Sequence, residues 1–252
     1  MNNIKYLSNA LAQHTPQKVL TTQKYKSIFF DIDDTLVDFK TAEFESLHLT
    51  YKAFYQDLTS EHHFRDLFVT INKSLWRDAE NGKINTKHIR IQRFKEVNYH
   101  LEITESAETV AQFYLDKLAE KSKWLENAKE TLKELSKTHK IAVITNGFSC
   151  VQRKKYALHG MDELVSTLVI SEETGFSKPD KRIFDYAFKE MDCKASETLM
   201  VGDSLFSDYQ GALNSGMDFC WINPFSQPLP VSFPAPKFEI KSVAELVGKL
   251  SL

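Results

Sequence analysis

The sequence predicts an α/β fold: a doubly wound, Rossmann-like parallel sheet with a helical domain inserted after the first strand. Three observations predict it. Uninterrupted apolar runs such as Ile28–Phe30, "IAVIT" and "TLMV" suit strands covered on both faces. Helical patterns separate these runs, and that alternation argues a parallel sheet wound in both directions. Residues 31–140 separate the first two runs, far too many for a crossover loop, and they carry helical periodicity.

The elements follow in order. Residues 1–24 are polar, with Ile4, Leu7 and Leu11 at helical spacing, and read as an arm or short helix outside the core. The first strand is Lys26 to Asp31. A helical domain then spans 39–123, and the core that carries the sheet comprises 25–38 and 124–252. Within the insert Phe64, Leu67, Phe68, Ile71 and Leu75 recur on one helix face, with Gly82 as its stop, and "TESAETVAQFYLDKLAEK" gives another helix. A helix over Glu126–Ser136 leads to "IAVIT". Gln152–Leu158 forms the next, closed by Gly160. "TLVI" ends near Ile170, and Pro179 suits the start of the following helix. A strand then ends at Asp203, a helix at Gly216, and "FCWI" is another strand. "NPFSQPLPVSFPAP" is a surface connection before the last strand. Ser242 and Glu245 form a capping-box pattern for the last helix.

Composition narrows the partners. The chain has 252 residues and a formal charge of −2. That balance gives no electrostatic case for nucleic acid or an anionic membrane. No apolar run approaches the roughly 18 residues of a membrane span, and the N-terminus lacks the apolar block of a signal peptide. Cys150, Cys193 and Cys220 are too few and scattered for a disulfide framework or zinc site, so a reducing cytoplasm is expected. No residue pattern fixes an oligomeric state.

"IFFDIDDTL" poses the chemical question: three aspartates crowd the end of a buried strand. Residues two apart on a strand share a face, so Asp31 and Asp33 converge. Active sites of such sheets lie beyond the carboxyl ends of the strands. The other strand ends and loops supply Thr145, Asn146, Gly147, Lys178, Asp203 and Asp208. Four carboxylates beside one lysine require a hard divalent cation, and Mg²⁺ is the usual one. Asp34 and Asp38 read as solvated or loop-capping residues. His62 and His63 are adjacent and share no helix face. Cys150 reads as a packing residue.

The ordered set "DIDDT", "ITNG", "SKPD" and "GDSLFSD" resembles the four motifs of the haloacid dehalogenase-like hydrolase superfamily, and the insert sits where that superfamily carries its first type of cap. The resemblance implies that Asp31 is the nucleophile, forming an aspartyl-phosphate, and that Asp33 is the general acid and base. It implies that Thr145 and the backbone of Asn146 and Gly147 hold phosphoryl oxygens, and that Lys178 neutralises charge. Mg²⁺ would bind Asp31, Asp203 and the Asp33 carbonyl, with Asp208 orienting Lys178 or a metal-bound water. Asp34 departs from the commonest residue there, glycine. Asp33 argues for a phosphatase or phosphomutase rather than a dehalogenase, because an alkoxide leaving group needs a proton and a halide does not.

"INKSLWRDAENGKI", "VITNGF" and "VISEETGFSKPDKRIFDYAF" also look like the bacterial noncanonical pyrimidine nucleotidases, which implies a small phosphomonoester partner, a pyrimidine nucleoside monophosphate. Asn72 and Trp76 are four apart on one helix line, placed to hydrogen-bond and stack on a base; Trp76 alternatively packs on a neighbouring helix. Phe148 walls the sugar pocket or belongs to the core. Lys73 and Arg77 read as a solvated face. Two alternatives stand beside this reading: a phosphatase or mutase for sugar phosphates, and a phospho-accepting signalling module.

Overall fold

The apolar runs of the sequence lie side by side as six strands in a computed structural model that describes residues 24–80 and 83–250. Strand β1 (Ser27–Phe30) is buried at every residue and lies between β2 (Lys140–Thr145) and β4 (Thr198–Gly202). With β3 (Thr167–Ile170), β5 (Asp218–Ile222) and β6 (Phe238–Ile240), the order is β3-β2-β1-β4-β5-β6, every pair parallel. Alternate residues feed two separate cores, as a sheet covered on both faces requires. Ile28, Phe30, Val143 and Val201 pack with Leu132 and Leu246 on one face; Phe29, Ile144 and Met200 pack with Ile183 and Phe184 on the other.

Register sets where the strands end. Phe30 pairs with Val143 on one side and Val201 on the other, so β1, β2 and β4 release their next residues at one edge.

Four helices occupy the long interval after β1: α1 (Phe39–Phe54), α2 (Glu61–Glu80), α3 (Thr86–His100) and α4 (Ala107–Glu120). They bury a common apolar cluster that includes Phe64, Phe68, Phe94 and Tyr114. The same cluster takes in Phe148 and Val151, at the start of a helix that follows β2, so the insert packs down over the edge where the strands end. Where the chain leaves the core, the Asp38 N–H donates to the Lys123 carbonyl at 2.9 Å; where it returns, the Leu125 N–H donates to the Leu36 carbonyl at 2.9 Å. Asp38 caps α1 by accepting from the Thr41 N–H at 2.9 Å, and Asp34 accepts from the Phe39 N–H at 3.1 Å. Both are loop caps, as their residue type suggests.

The remaining helices are α5 (Ala128–Leu135), α6 (Ser149–Leu158), a single turn α7 (Ser171–Thr174), α8 (Lys181–Met191), α9 (Gln210–Ser215) and α10 (Leu246–Leu250). Gly160 and Gly216 end α6 and α9 with φ of 60° and 74°, conformations that favour glycine. Several details differ from the sequence reading: α6 begins at Ser149, three residues before Gln152, and β1 and β4 stop one residue short of Asp31 and Asp203. Helix α5 starts two residues later than Glu126, after Asn127 at φ 58°. Helix α8 starts after Pro179, because Asp180 is its cap and accepts from the Arg182 N–H at 2.9 Å. The expected capping box does not form: the chain enters a 3₁₀ turn at Val243, Ser242 makes no side-chain cap, and the Glu245 carboxylate accepts from the Lys241 N–H at 3.1 Å instead. Gly82 and the arm read over Ile4, Leu7 and Leu11 lie outside the described residues. Among the described residues no helix is long and apolar enough to cross a membrane.

Candidate active site

The level strand ends bring the acidic residues together. Asp31 follows β1 directly and is 8% exposed. Lys178 approaches from the loop after α7, buried, and its Nζ donates to Asp31 Oδ1 at 2.5 Å, Asp208 Oδ1 at 2.7 Å and the Ile144 carbonyl at 2.7 Å. The Asn146 side chain clamps that loop at both ends of one residue: Asn146 Nδ2 donates to the Lys178 carbonyl and the Lys178 N–H donates to Asn146 Oδ1, each at 2.8 Å. Asp208 is fully buried and also accepts from the Ser204 N–H at 3.1 Å. Its approach requires Gly202, whose added Cβ would lie 2.2 Å from Asp208 Oδ2.

Asp31, Asp203 and Asp208 each place a carboxylate oxygen within 4.8 Å of the others. Crowded, desolvated carboxylates resist ionisation. Burial pushes Asp31 well above the usual carboxylate range, against the pull of Lys178, and Asp208, Asp203 and Asp33 push it further. Asp203 is pushed up to about 7 by burial, then by Asp208 and Asp34. Lys178 is held above the usual lysine range: burial acts downward, but Asp208 and Asp31 outweigh it. A hard divalent cation fits this all-oxygen donor set, in which one lysine does not neutralise three carboxylates.

Asp33 turns the other way. Its Oδ2 accepts from Gln152 Nε2 at 2.7 Å and its Oδ1 from Lys155 Nζ at 2.5 Å. With the carboxylate so engaged, the backbone carbonyl is what Asp33 offers a cation. The strand ends and loops alone supply one lysine for four carboxylates; the structure places two, Lys178 on Asp31 and Asp208, and Lys155 on Asp33. Lys155 and Gln152 share the buried face of α6 with Val151. Their spacing along that helix was the available signal, but "KK" at 154–155 does not say which lysine turns inward. Lys154 turns outward and pairs with Asp116 of α4.

The turn after β2 is equally specific. Thr145 Oγ1 accepts from the Gly147 N–H and from Gln152 Nε2, each at 3.1 Å. The Gly147 N–H, expected as a phosphate donor, is thus folded back onto its own turn. The Thr145 hydroxyl proton and the Asn146 N–H remain unspent among the described residues.

One cavity of about 310 Å³ runs from Asp31 and Asp33 to Asn72 and Trp76 on α2, passing Phe148. The Trp76 and Phe148 rings lie 5.7 Å apart, tilted by 42°. Trp76 therefore packs on Phe148, the residue after the β2 turn, as well as against the apolar cluster of the insert helices, and also lines the cavity. Lys73 and Arg77 are exposed, as are His62 and His63. Cys150 packs beside the insert cluster. Arg93 of α3 also lines the cavity and was not singled out from sequence. It stands four residues after Ile89 and four before Val97, a charged residue on a buried stripe. That is a readable signal.

Comparison with known proteins agrees with this architecture. Residues 28–222 match the family model described as haloacid dehalogenase-like hydrolase. The chain is 34% identical over 224 residues to the pyrimidine 5'-nucleotidase YjjG of Escherichia coli, covering 88% of this chain and 96% of that one. It is 32% identical over 202 residues to the pyrimidine 5'-nucleotidase PynA of Streptococcus pneumoniae, covering 79% and 84%. The crystal structure of the HAD-hydrolase YfnB from Bacillus subtilis bound to magnesium matches with a TM-score of 0.80 at 30% identity, over 91% of this chain and 100% of that one.

Proposed function

The chain belongs to the haloacid dehalogenase-like hydrolases, and from that premise we propose that it is a Mg²⁺-dependent 5'-nucleotidase acting on pyrimidine nucleoside monophosphates. One observation carries the reading. A single cavity joins the Asp31–Asp33 end, suited to a phosphoryl group, to a wall of Asn72, Trp76 and Phe148, suited to a flat heterocycle. Similarity to two pyrimidine 5'-nucleotidases supports the substrate class. In this reading residues 25–38 and 124–252 form the catalytic core, and 39–123 form a cap over it.

The chemistry follows from the placement. Asp31 attacks phosphorus as the bond to the ester oxygen breaks, and Asp33 delivers a proton to that oxygen. Water then attacks the aspartyl-phosphate, Asp33 takes its proton, the Asp31–phosphorus bond breaks, and inorganic phosphate leaves. The Thr145 hydroxyl and the Asn146 N–H hold phosphoryl oxygens, and Lys178 neutralises the developing charge. Gln152 and Lys155 fix the Asp33 carboxylate. Asp31, Asp203 and the Asp33 carbonyl would hold Mg²⁺, with Asp208 bracing Lys178 beside them; the ion supplies positive charge against the phosphoryl oxygens.

The test is phosphate release with Mg²⁺ from dUMP, UMP, dTMP, purine monophosphates, sugar phosphates and phosphoglycolate, with EDTA and Asp31→Asn as controls. Preference for the pyrimidine monophosphates is expected. Turnover concentrated on sugar phosphates would overturn the base reading, and full activity of Asp31→Asn would overturn the mechanism.

A further inference from the structure

Arginine is seldom buried without an anionic partner. Arg93 is 2% exposed and lies in the wall of the cavity that holds Asp31. A guanidinium has five N–H donors. Among the described residues Arg93 spends one, from Nη1 to Asn72 Oδ1 at 3.2 Å, while Nε and Nη2 find no hydrogen-bond partner. The Glu43 carboxylate on the same cavity attracts the group without hydrogen-bonding it, and aromatic rings cage it: Tyr114 lies 4.6 Å from the guanidinium carbon, and Phe68 and Phe148 lie 5.4 Å away. Rings hold a guanidinium by cation–π attraction but do not satisfy its donors as an oxygen would.

The same bond sets Asn72. Its carbonyl oxygen is occupied by Arg93, so its NH₂ is the end left to donate. Two neighbouring residues on α2 and α3 therefore present donors to the cavity, beside the Trp76 and Phe148 rings.

We infer that Arg93, together with the Asn72 amide it orients, reads the base by donating hydrogen bonds to ring carbonyl oxygens, and so selects uracil and thymine over cytosine. The inference rests on the nucleotidase reading and adds its specificity determinant. Uracil and thymine carry a carbonyl at C4; cytosine carries an amino group there. Against these two donors that amino group meets N–H with N–H and leaves both unpaired; among the described residues the one carboxylate lining the cavity beyond Asp31 and Asp33 is Glu43, which already accepts from the Tyr114 hydroxyl at 3.4 Å. A site built to hydrogen-bond one edge discriminates strongly against the edge that cannot.

The experiment compares kcat/KM for dUMP, dCMP and deoxyribose 5-phosphate in the wild type, Arg93→Gln and Asn72→Asp. The wild type is expected to favour dUMP over dCMP by roughly tenfold or more. Arg93→Gln should bring that ratio close to one. Asn72→Asp places an acceptor beside Arg93 and should shift the ratio toward dCMP. An unchanged ratio in Arg93→Gln, or an equal loss on all three esters, would overturn the inference and leave Arg93 a packing residue. Should Arg93→Gln fail to fold, Asn72→Asp decides: its ratio moves toward dCMP or the inference falls. A wild type that handles dUMP no better than deoxyribose 5-phosphate removes the nucleotidase reading and this inference with it. A wild-type preference for dUMP that neither variant disturbs removes only the role of Arg93.

Discussion

Lys155 Nζ lies 2.5 Å from Asp33 Oδ1, and the lysine side chain is fully buried while that of the aspartate is 25% exposed. The pair is therefore asymmetric. Without its aspartate the lysine is an uncompensated buried charge; without its lysine the aspartate still faces the cavity.

The first prediction follows from that asymmetry. Asp33→Ala should destabilise the fold by about 3–5 kcal/mol, the usual cost of stranding one partner of a buried pair. Lys155→Met, close in shape, should cost clearly less in stability. It should still lower kcat, because Asp33 is then held by Gln152 alone. Urea unfolding of the two variants checks the order. Equal losses of stability would mean the lysine is not the stranded partner.

The second prediction concerns pH and metal. In the metal-free protein Asp203 is pushed up to about 7, first by burial. In the unfolded chain it titrates at the ordinary aspartate value, near 3.9. The unfolded state thus gives up this proton first as pH rises. The group stabilises the fold fully below about 4 and loses that contribution as pH climbs to about 7. With EDTA present, Tm should fall between pH 5 and 7.5 more steeply in the wild type than in Asp203→Asn. A divalent cation competes with that proton, so the Tm increment from Mg²⁺ should grow over the same interval. Thermal melts at four pH values, with and without Mg²⁺, measure both. A variant as steep as the wild type would refute the assignment.

The third prediction uses a glycine. A Cβ on Gly147 would lie 2.0 Å from Gln152 Nε2, the far end of a movable side chain. Gly147→Ala should therefore fold, but displace Gln152 from Thr145 and Asp33 and reduce kcat. Gln152→Ala should reduce it for the same reason. Residues that act through one contact are not additive. The double variant should lose little beyond the worse single, which a double-mutant cycle on kcat tests. Fully additive losses would show that the two act separately.

The strand ends and their aspartates are legible in the sequence for a physical reason. A buried run such as Ile28–Phe30 must stop where charge begins, so Asp31 and Asp203 mark the sheet edge without any tertiary knowledge. Asp34 and Asp38 are legible as caps because aspartate bonds to nearby backbone. Lys155 and Gln152 are not fixed that way, and for Arg93 the buried stripe is readable but the cavity it meets is not. Each sits on a helix whose rotation decides which side chain faces the cavity, and that rotation is set by partners far away in the chain. The bond of Asn146 to the loop of Lys178, 32 positions later, is equally invisible locally, as is the turning of the Gly147 N–H onto Thr145.

The last prediction separates base recognition from phosphate chemistry. Trp76 and Phe148 come from α2 and from the turn after β2, yet their rings meet at 5.7 Å on the cavity wall. A pyrimidine entering beside them gains stacking of about 1–3 kcal/mol per base, as aromatic contacts to bases provide. Trp76→Ala should therefore lower kcat/KM for dUMP by roughly tenfold, chiefly through KM. Deoxyribose 5-phosphate, which has no base, should lose far less, since Asp31, Asp33 and Lys178 hold their places without the indole. Steady-state kinetics on the two esters gives the answer. Unchanged kcat/KM on dUMP would remove the stacking role and leave Trp76 as packing for Phe148.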